Sequence, residues 1–233
     1  MIALLKYNSK IYLKYNKFMV PFIFYLLFQL IYYGTGSVDF VSDVTICVSV
    51  VFCIMTWMGF GYCELQDWRT EQIVFLKINN GNLYWISKIA FMFIIGILLS
   101  LIGVIWPLVS SLNNDGIRVD SIVLGFLILI LSAFMGVLLG MIFQTRIIGN
   151  SNKSILILFL IIIITIVKIP IVNECPIMKT FMWILPPVSN ITSSCINAVK
   201  FSLNILMMPI VYSITYIFVG TIVYIGLMKK ILF

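Results

Sequence analysis

The run CELQDWRTEQIVFLKINNGNLYWISK, residues 63–88, holds Glu64, Asp67, Arg69, Glu71, Lys77 and Lys88 between two apolar stretches of membrane-crossing length. A crossing takes about 20 predominantly apolar residues, so the run reads as the loop between two crossings. Within it, EQIVFLK predicts one or two helical turns with an apolar middle, Ile73, Val74, Phe75 and Leu76, too short to span. NNGN at 79–82 breaks the helix, and LYWISK re-enters with Tyr84 and Trp85 at interface depth. The loop therefore offers a small apolar knob ringed by mixed charge, a shape suited to docking in a groove of another protein. Trp68 and Arg69 are of types enriched at binding hot spots. The plainer reading is a loop that lies on the membrane surface.

Composition fixes the class around this loop. Of 233 residues, 62% are hydrophobic and 10% charged, with mean hydropathy +1.15. A soluble domain is about half apolar and a quarter charged, so there is too little polar surface here to cover a globule in water. The expectation is an all-α integral membrane protein. Six crossings would use about half the chain, and residues 1–233 read as one transmembrane domain. There is no histidine, which excludes His-ligated metal sites and His-dependent intramembrane proteolysis. No metal and no cofactor bound by this chain are expected, and no enzymatic activity.

The segment before the first crossing, residues 1–17, carries Lys6, Lys10, Lys14 and Lys17 at helical spacing, one basic stripe on an otherwise apolar and tyrosine-rich helix. This predicts an amphipathic helix lying in the interface of an anionic leaflet; plain topogenic charge is the alternative. The crossings then fall at 18–33, 44–62, 86–109, 121–143, 154–172 and 203–228, with a kink expected at Pro209 in the last. With the N-terminus inside, the inner segments hold 11 of the 15 lysines and arginines and three of the eight acids. That satisfies the positive-inside rule with both termini cytoplasmic. Orientation thus accounts for the net charge of +7, and no nucleic-acid partner is needed to explain it.

These features together resemble the membrane subunit of a bacterial ABC-2 type transporter, with its type V exporter-like fold. The quoted basis is the basic elbow at 1–17, six crossings, and the loop at 63–85. Glu64 follows the second crossing; Arg69, Thr70, the IVFL turn, NNGN and Ser87-Lys88 come after it. CPIMKTFMWILPPVSNITSSC, residues 175–195, fits the proline-containing outer excursion of that family, here 173–200. The resemblance implies a permease in the bacterial plasma membrane that pairs with a second permease subunit, as homo- or heterodimer, and with a P-loop ATPase. The chain has no GxxxxGK[ST], so ATP and magnesium would belong to that partner. Coupling would run through Glu64, Asp67, Trp68, Arg69, Thr70, Glu71, Gln72, Phe75 and Leu76. Arg146 in QTRIIGNSNK, residues 144–153, would be a lesser contact. By analogy with small permeases of the family, the cargo would be amphipathic or antimicrobial-type peptides, in export or self-immunity, or hydrophobic drugs. The alternative is a six-helix substrate-capture component of a vitamin importer, which would need no charged helix between crossings two and three.

Other groups are weaker signals. Cys47, Cys53 and Cys63 read as small buried residues of the second crossing. Cys175 and Cys195 flank the excursion, and an oxidising exterior would permit a bridge between them, although spacing alone does not bring them together. Glu64, Lys88 and Lys168 lie at crossing ends, where they can snorkel to water, so no titratable group is expected near the midplane. Phe24, Phe28, Gln29 and Asn204 could line a route for an amphipathic substrate; ordinary helix packing is the competing reading. Gly136 and Gly140 form a small-xxx-small pair, a device for close helix approach.

Overall fold

The computed structural model describes residues 1–34, 39–65, 68–78, 81–111, 119–175, 178, 180, 182, 184–196, 201 and 203–232; the side chains at 17, 68, 110, 111, 203, 204 and 232 lie outside the description. Every regular element among them is helical: α1 (Ile2–Lys14), α2 (Met19–Gly34), α3 (Phe40–Cys63), α4 (Trp68–Lys77), α5 (Gly81–Ser111), α6 (Val119–Ile142), α7 (Thr145–Ile148), α8 (Ser151–Ile166), α9 (Lys168–Glu174), α10 (Val188–Ile196) and α11 (Leu203–Leu232). Helices suit these apolar runs because each backbone N–H finds its acceptor within its own segment, the condition a bilayer imposes. Isoleucine-rich ILILFLIIIITI in α8 is helical despite its β-branched residues. Its start is set by Asn150, whose side chain accepts from the backbone N–H of Asn152 at 3.0 Å.

Among the described residues, four helices are long and apolar enough to cross a membrane: α3, α5, α6 with the short α7, and α11. Two bent pairs pass the same test only when taken together, α1 with α2 at 78° and α8 with α9 at 69°, which makes four to six candidate spans. The first bend separates the expected elbow from the first crossing. It leaves α2 with 16 residues, about 24 Å of helix. The second bend corrects the straight fifth crossing at 154–172. Pro170 has no N–H to give Ile166, and its ring crowds that carbonyl; the helix breaks at Val167, between Ile166 and Lys168. Pro209, by contrast, sits inside α11, which runs as one span.

The centre is α3 packed on α6. Cβ atoms added at Gly136 would lie 2.6 Å from the Phe52 carbonyl oxygen, and at Gly140 would collide with that of Thr56, so only glycine allows this approach. Ser132 Oγ donates to the Val48 carbonyl across the same seam at 2.7 Å. The elbow is not merely laid on a surface. Lys6, Lys10 and Lys14 are exposed, while Asn8 and Tyr12 turn inward; Asn8 donates to Ser87 Oγ of α5 at 3.3 Å.

Successive helices run between two ends. At one, Asn8 meets Ser87, Trp85 meets Tyr224 at 6.2 Å, and Gln144 donates to Met228 Sδ. At the other, Phe40 meets Phe201, Tyr32 donates to Asp43 and α10 packs on α3. The first end therefore gathers α1, α4, α7 and the C-terminal part of α11, and with them most of the described lysines and arginines. Asn79, Asn80, Arg118, Lys179 and Lys200 lie outside the described residues.

Candidate functional site

The charged run forms α4 as expected, but only part of it faces outward. Glu71 is fully buried, with 0% of its surface exposed. Three elements converge on its carboxylate. Lys88, about two turns into α5, brings its ammonium to Oε1. Arg146 of α7 brings its guanidinium to Oε2. Tyr84, one turn before Lys88 on the same face of α5, donates its hydroxyl to Oε1 at 3.0 Å. The site is thus a buried Lys–Glu–Arg triad closed by a tyrosine.

Lys88 does not snorkel; it is 2% exposed. Its Nζ lies 5.8, 5.0 and 5.5 Å from the ring centres of Tyr62, Tyr84 and Trp85, distances at which an aromatic face attracts a cation. Two cations share one carboxylate, and these rings take up part of the surplus. Tyr84 and Trp85 are themselves fully buried within the protein. Burying such a triad brings little net stability, because desolvation roughly cancels attraction. Its consequence is specificity: removing Glu71 takes from both cations the carboxylate they share.

The triad ties the loop between α3 and α5 to the loop between α6 and α8. Arg146 is held by a short helix between Gln144, buried against Met228, and Gly149, whose φ of 83° ends the turn. Its side chain is 15% exposed and turned toward Glu71, so it belongs to the clamp.

The apolar knob divides in two. Phe75 packs inward on Tyr84 and Trp85, at 6.3 Å from each ring, and over Gly81. Val74 is half-buried beside it. Ile73 and Leu76 stay outward at 67% and 81% exposure. With Arg69, Thr70 and Lys77, also exposed, they make one face: 69, 73 and 76 are spaced i, i+4, i+7, and 70, 73 and 77 are spaced i, i+3, i+7; Gln72 is intermediate. Glu64 closes α3 as its C-terminal cap. Asp67 and the Trp68 side chain lie outside the described residues.

Of the residues suggested for a substrate route, the described Phe24 and Gln29 do not come together. Helix α2 buries Pro21, Tyr25, Gln29 and Tyr33, a strict i+4 stripe. Gln29 donates to Cys47 Sγ at 3.6 Å and Tyr25 to the Leu99 carbonyl at 3.1 Å: packing of α2 on α3 and α5. Phe24 is 57% exposed on the opposite face, and Phe28 stacks on Tyr32. The Asn204 side chain lies outside the described residues.

The bridge considered between Cys175 and Cys195 is absent; both are free thiols. Cys175 is exposed just after α9, whereas Cys195 is buried in α10, and α10 packs on α3. Burial pushes the Cys195 thiol up to about 11.

Lys88 and Tyr84 are the partners that loop reasoning did not single out as a site. The signal was present: Tyr84 and Lys88 lie one turn apart, on the face of α5 that re-enters beneath an acid-bearing helix.

Comparison of the chain with protein-family models, with curated proteins and with solved structures finds no match to any of the three.

Proposed function

We propose that this protein is the membrane-spanning permease subunit of an ATP-driven exporter, working with a separate P-loop ATPase and a second permease subunit. In this reading the end bearing α1, α4 and α7 is cytoplasmic, in a bacterial plasma membrane. The observation that carries the reading is the division of labour on α4. Its inner face is anchored through Glu71 to α5 and α7, and its outer face offers Ile73 and Leu76 between Arg69 and Lys77. A loop helix resting on the membrane surface would also expose apolar residues; the buried charge that fixes α4 to two other segments is what favours docking against a partner. A push on the outer face would reach α5 through Lys88 and α6 through Arg146 without any flexible link between. The chemistry would be the partner's: ATP and magnesium bind there, and this chain converts closure into helix movement. The exported class would be amphipathic peptides or hydrophobic drugs, which enter from the membrane and need no polar route through the bundle.

The test is to purify the tagged full chain from its native membranes under mild detergent and identify what accompanies it. A P-loop ATPase near one copy per permease supports the reading. An intact, folded permease without any ATPase contradicts it.

A further inference from the structure

We infer that the elbow helix and α5 together form a binding site for one anionic phospholipid, with an acyl chain held in a cavity beneath the elbow. The cavity has a volume of about 240 Å³ and apolar walls. Ser9, Tyr12 and Leu13 of α1 roof it, and Phe22 of α2 and Met58 of α3 form its flank. Its floor follows α5 from Phe91 to Ile102, a run of about 16 Å at helical rise. That matches the roughly 15 Å depth of hydrocarbon in one leaflet. Leu13 and Leu98, which line it, are 63% and 56% exposed, so the cavity opens sideways, where a chain in the bilayer could enter.

Charge at the elbow selects the headgroup. Lys10 follows Ser9 and Lys14 follows Leu13 in the chain, and both are exposed together with Lys6. The first acidic residue of the sequence is Asp39, so no carboxylate on α1 or α2 competes for these lysines. A phosphate at the elbow would meet exposed lysines of α1 with no acid on that helix to oppose them. Tyr12, 5% exposed, lines the cavity with its ring, which stacks on Phe18 at 5.2 Å, so this wall offers the acyl chain an apolar surface and no polar atom. A neutral lipid would fill the same cavity but leave the lysines unanswered. The occupant is therefore an anionic phospholipid of the leaflet in which the elbow lies.

The experiment uses the purified full chain, delipidated in mild detergent and offered phosphatidylglycerol or phosphatidylcholine with identical acyl chains, with bound lipid read by native mass spectrometry. One phosphatidylglycerol per chain should be retained, at least fivefold over phosphatidylcholine. Lys10→Gln and Lys14→Gln should each reduce that preference about fivefold, the effect of one basic residue near an anionic surface. Ser9→Trp, which fills the roof, should abolish retention of both lipids without lowering the melting temperature. Ile95→Phe narrows the same cavity from α5 and serves if Ser9→Trp does not fold. Equal retention of the two lipids, or undiminished retention by a folded cavity-filling variant, would overturn the proposal.

Discussion

Glu71 on α4 and Lys88 on α5 are seventeen residues apart and meet in a buried ion pair that neither loop nor membrane surface could provide. Arg146 joins from the loop between α6 and α8, so one carboxylate determines how three segments sit together.

Glu71→Gln should therefore be among the most damaging changes in the chain. It keeps the shape but strands two buried cations, a loss of about 3–5 kcal/mol when one partner of a buried pair is removed. A thermal melt of detergent-solubilised protein should show a large drop in melting temperature. Glu71→Leu combined with Lys88→Met and Arg146→Met should recover most of it, since apolar replacement of a whole triad is often neutral or better. A single Glu71→Gln variant as stable as wild type would show that the triad does not tie the loops.

Neighbouring apolar residues on α4 should behave in opposite ways. Leu76→Asp alters an exposed side chain and should leave stability within about 0.5 kcal/mol, yet abolish transport. Phe75→Asp places a charge between Tyr84 and Trp85 and should prevent accumulation of folded protein. Size-exclusion profiles and transport assays on the two variants separate fold from coupling. Full transport by Leu76→Asp would remove the outer face of α4 from the mechanism.

At the centre, Gly140→Val should be destructive where an ordinary core enlargement costs about 1–3 kcal/mol. The obstacle is the Thr56 backbone carbonyl, which cannot turn aside as a side chain would. Gly226, whose added Cβ meets nothing within 4 Å, is the control: Gly226→Ala should be tolerated and, by helix propensity, gain up to about 1 kcal/mol. Melting temperatures of the two variants provide the comparison.

Thiol chemistry should distinguish the two outer cysteines. Cys175 should react with maleimide without prior reduction, and Cys195 should stay silent until the protein unfolds. Because burial raises the Cys195 thiol to about 11, its thiolate is about one part in a thousand at pH 8. Protection of both cysteines, removed by a reductant, would restore the bridge that the structure lacks.

Much of the fold was legible because crossings and loop helices have different lengths and charges. EQIVFLK anticipated α4, and the lysine spacing in residues 1–17 anticipated the exposed stripe of α1. The break at Val167 was less so: apolar content continues through 154–172, and hydropathy hides what Pro170 does to the backbone. In the site, Arg69, Ile73 and Leu76 face outward as their types suggested. Glu71 read as one more surface charge because its partners lie 17 and 75 positions away, and no local spacing encodes a contact across two loops. Phe24 and Gln29 looked like neighbours on a route, yet five residues of helix place them on different faces.

The most direct measurement is photo-crosslinking in intact cells from benzoylphenylalanine placed singly at positions 73, 75 and 76. The account predicts covalent capture of a P-loop ATPase from 73 and 76, and none from 75, whose side chain is turned into the protein. Crosslinks from 73 and 76 that reach only lipid would contradict it.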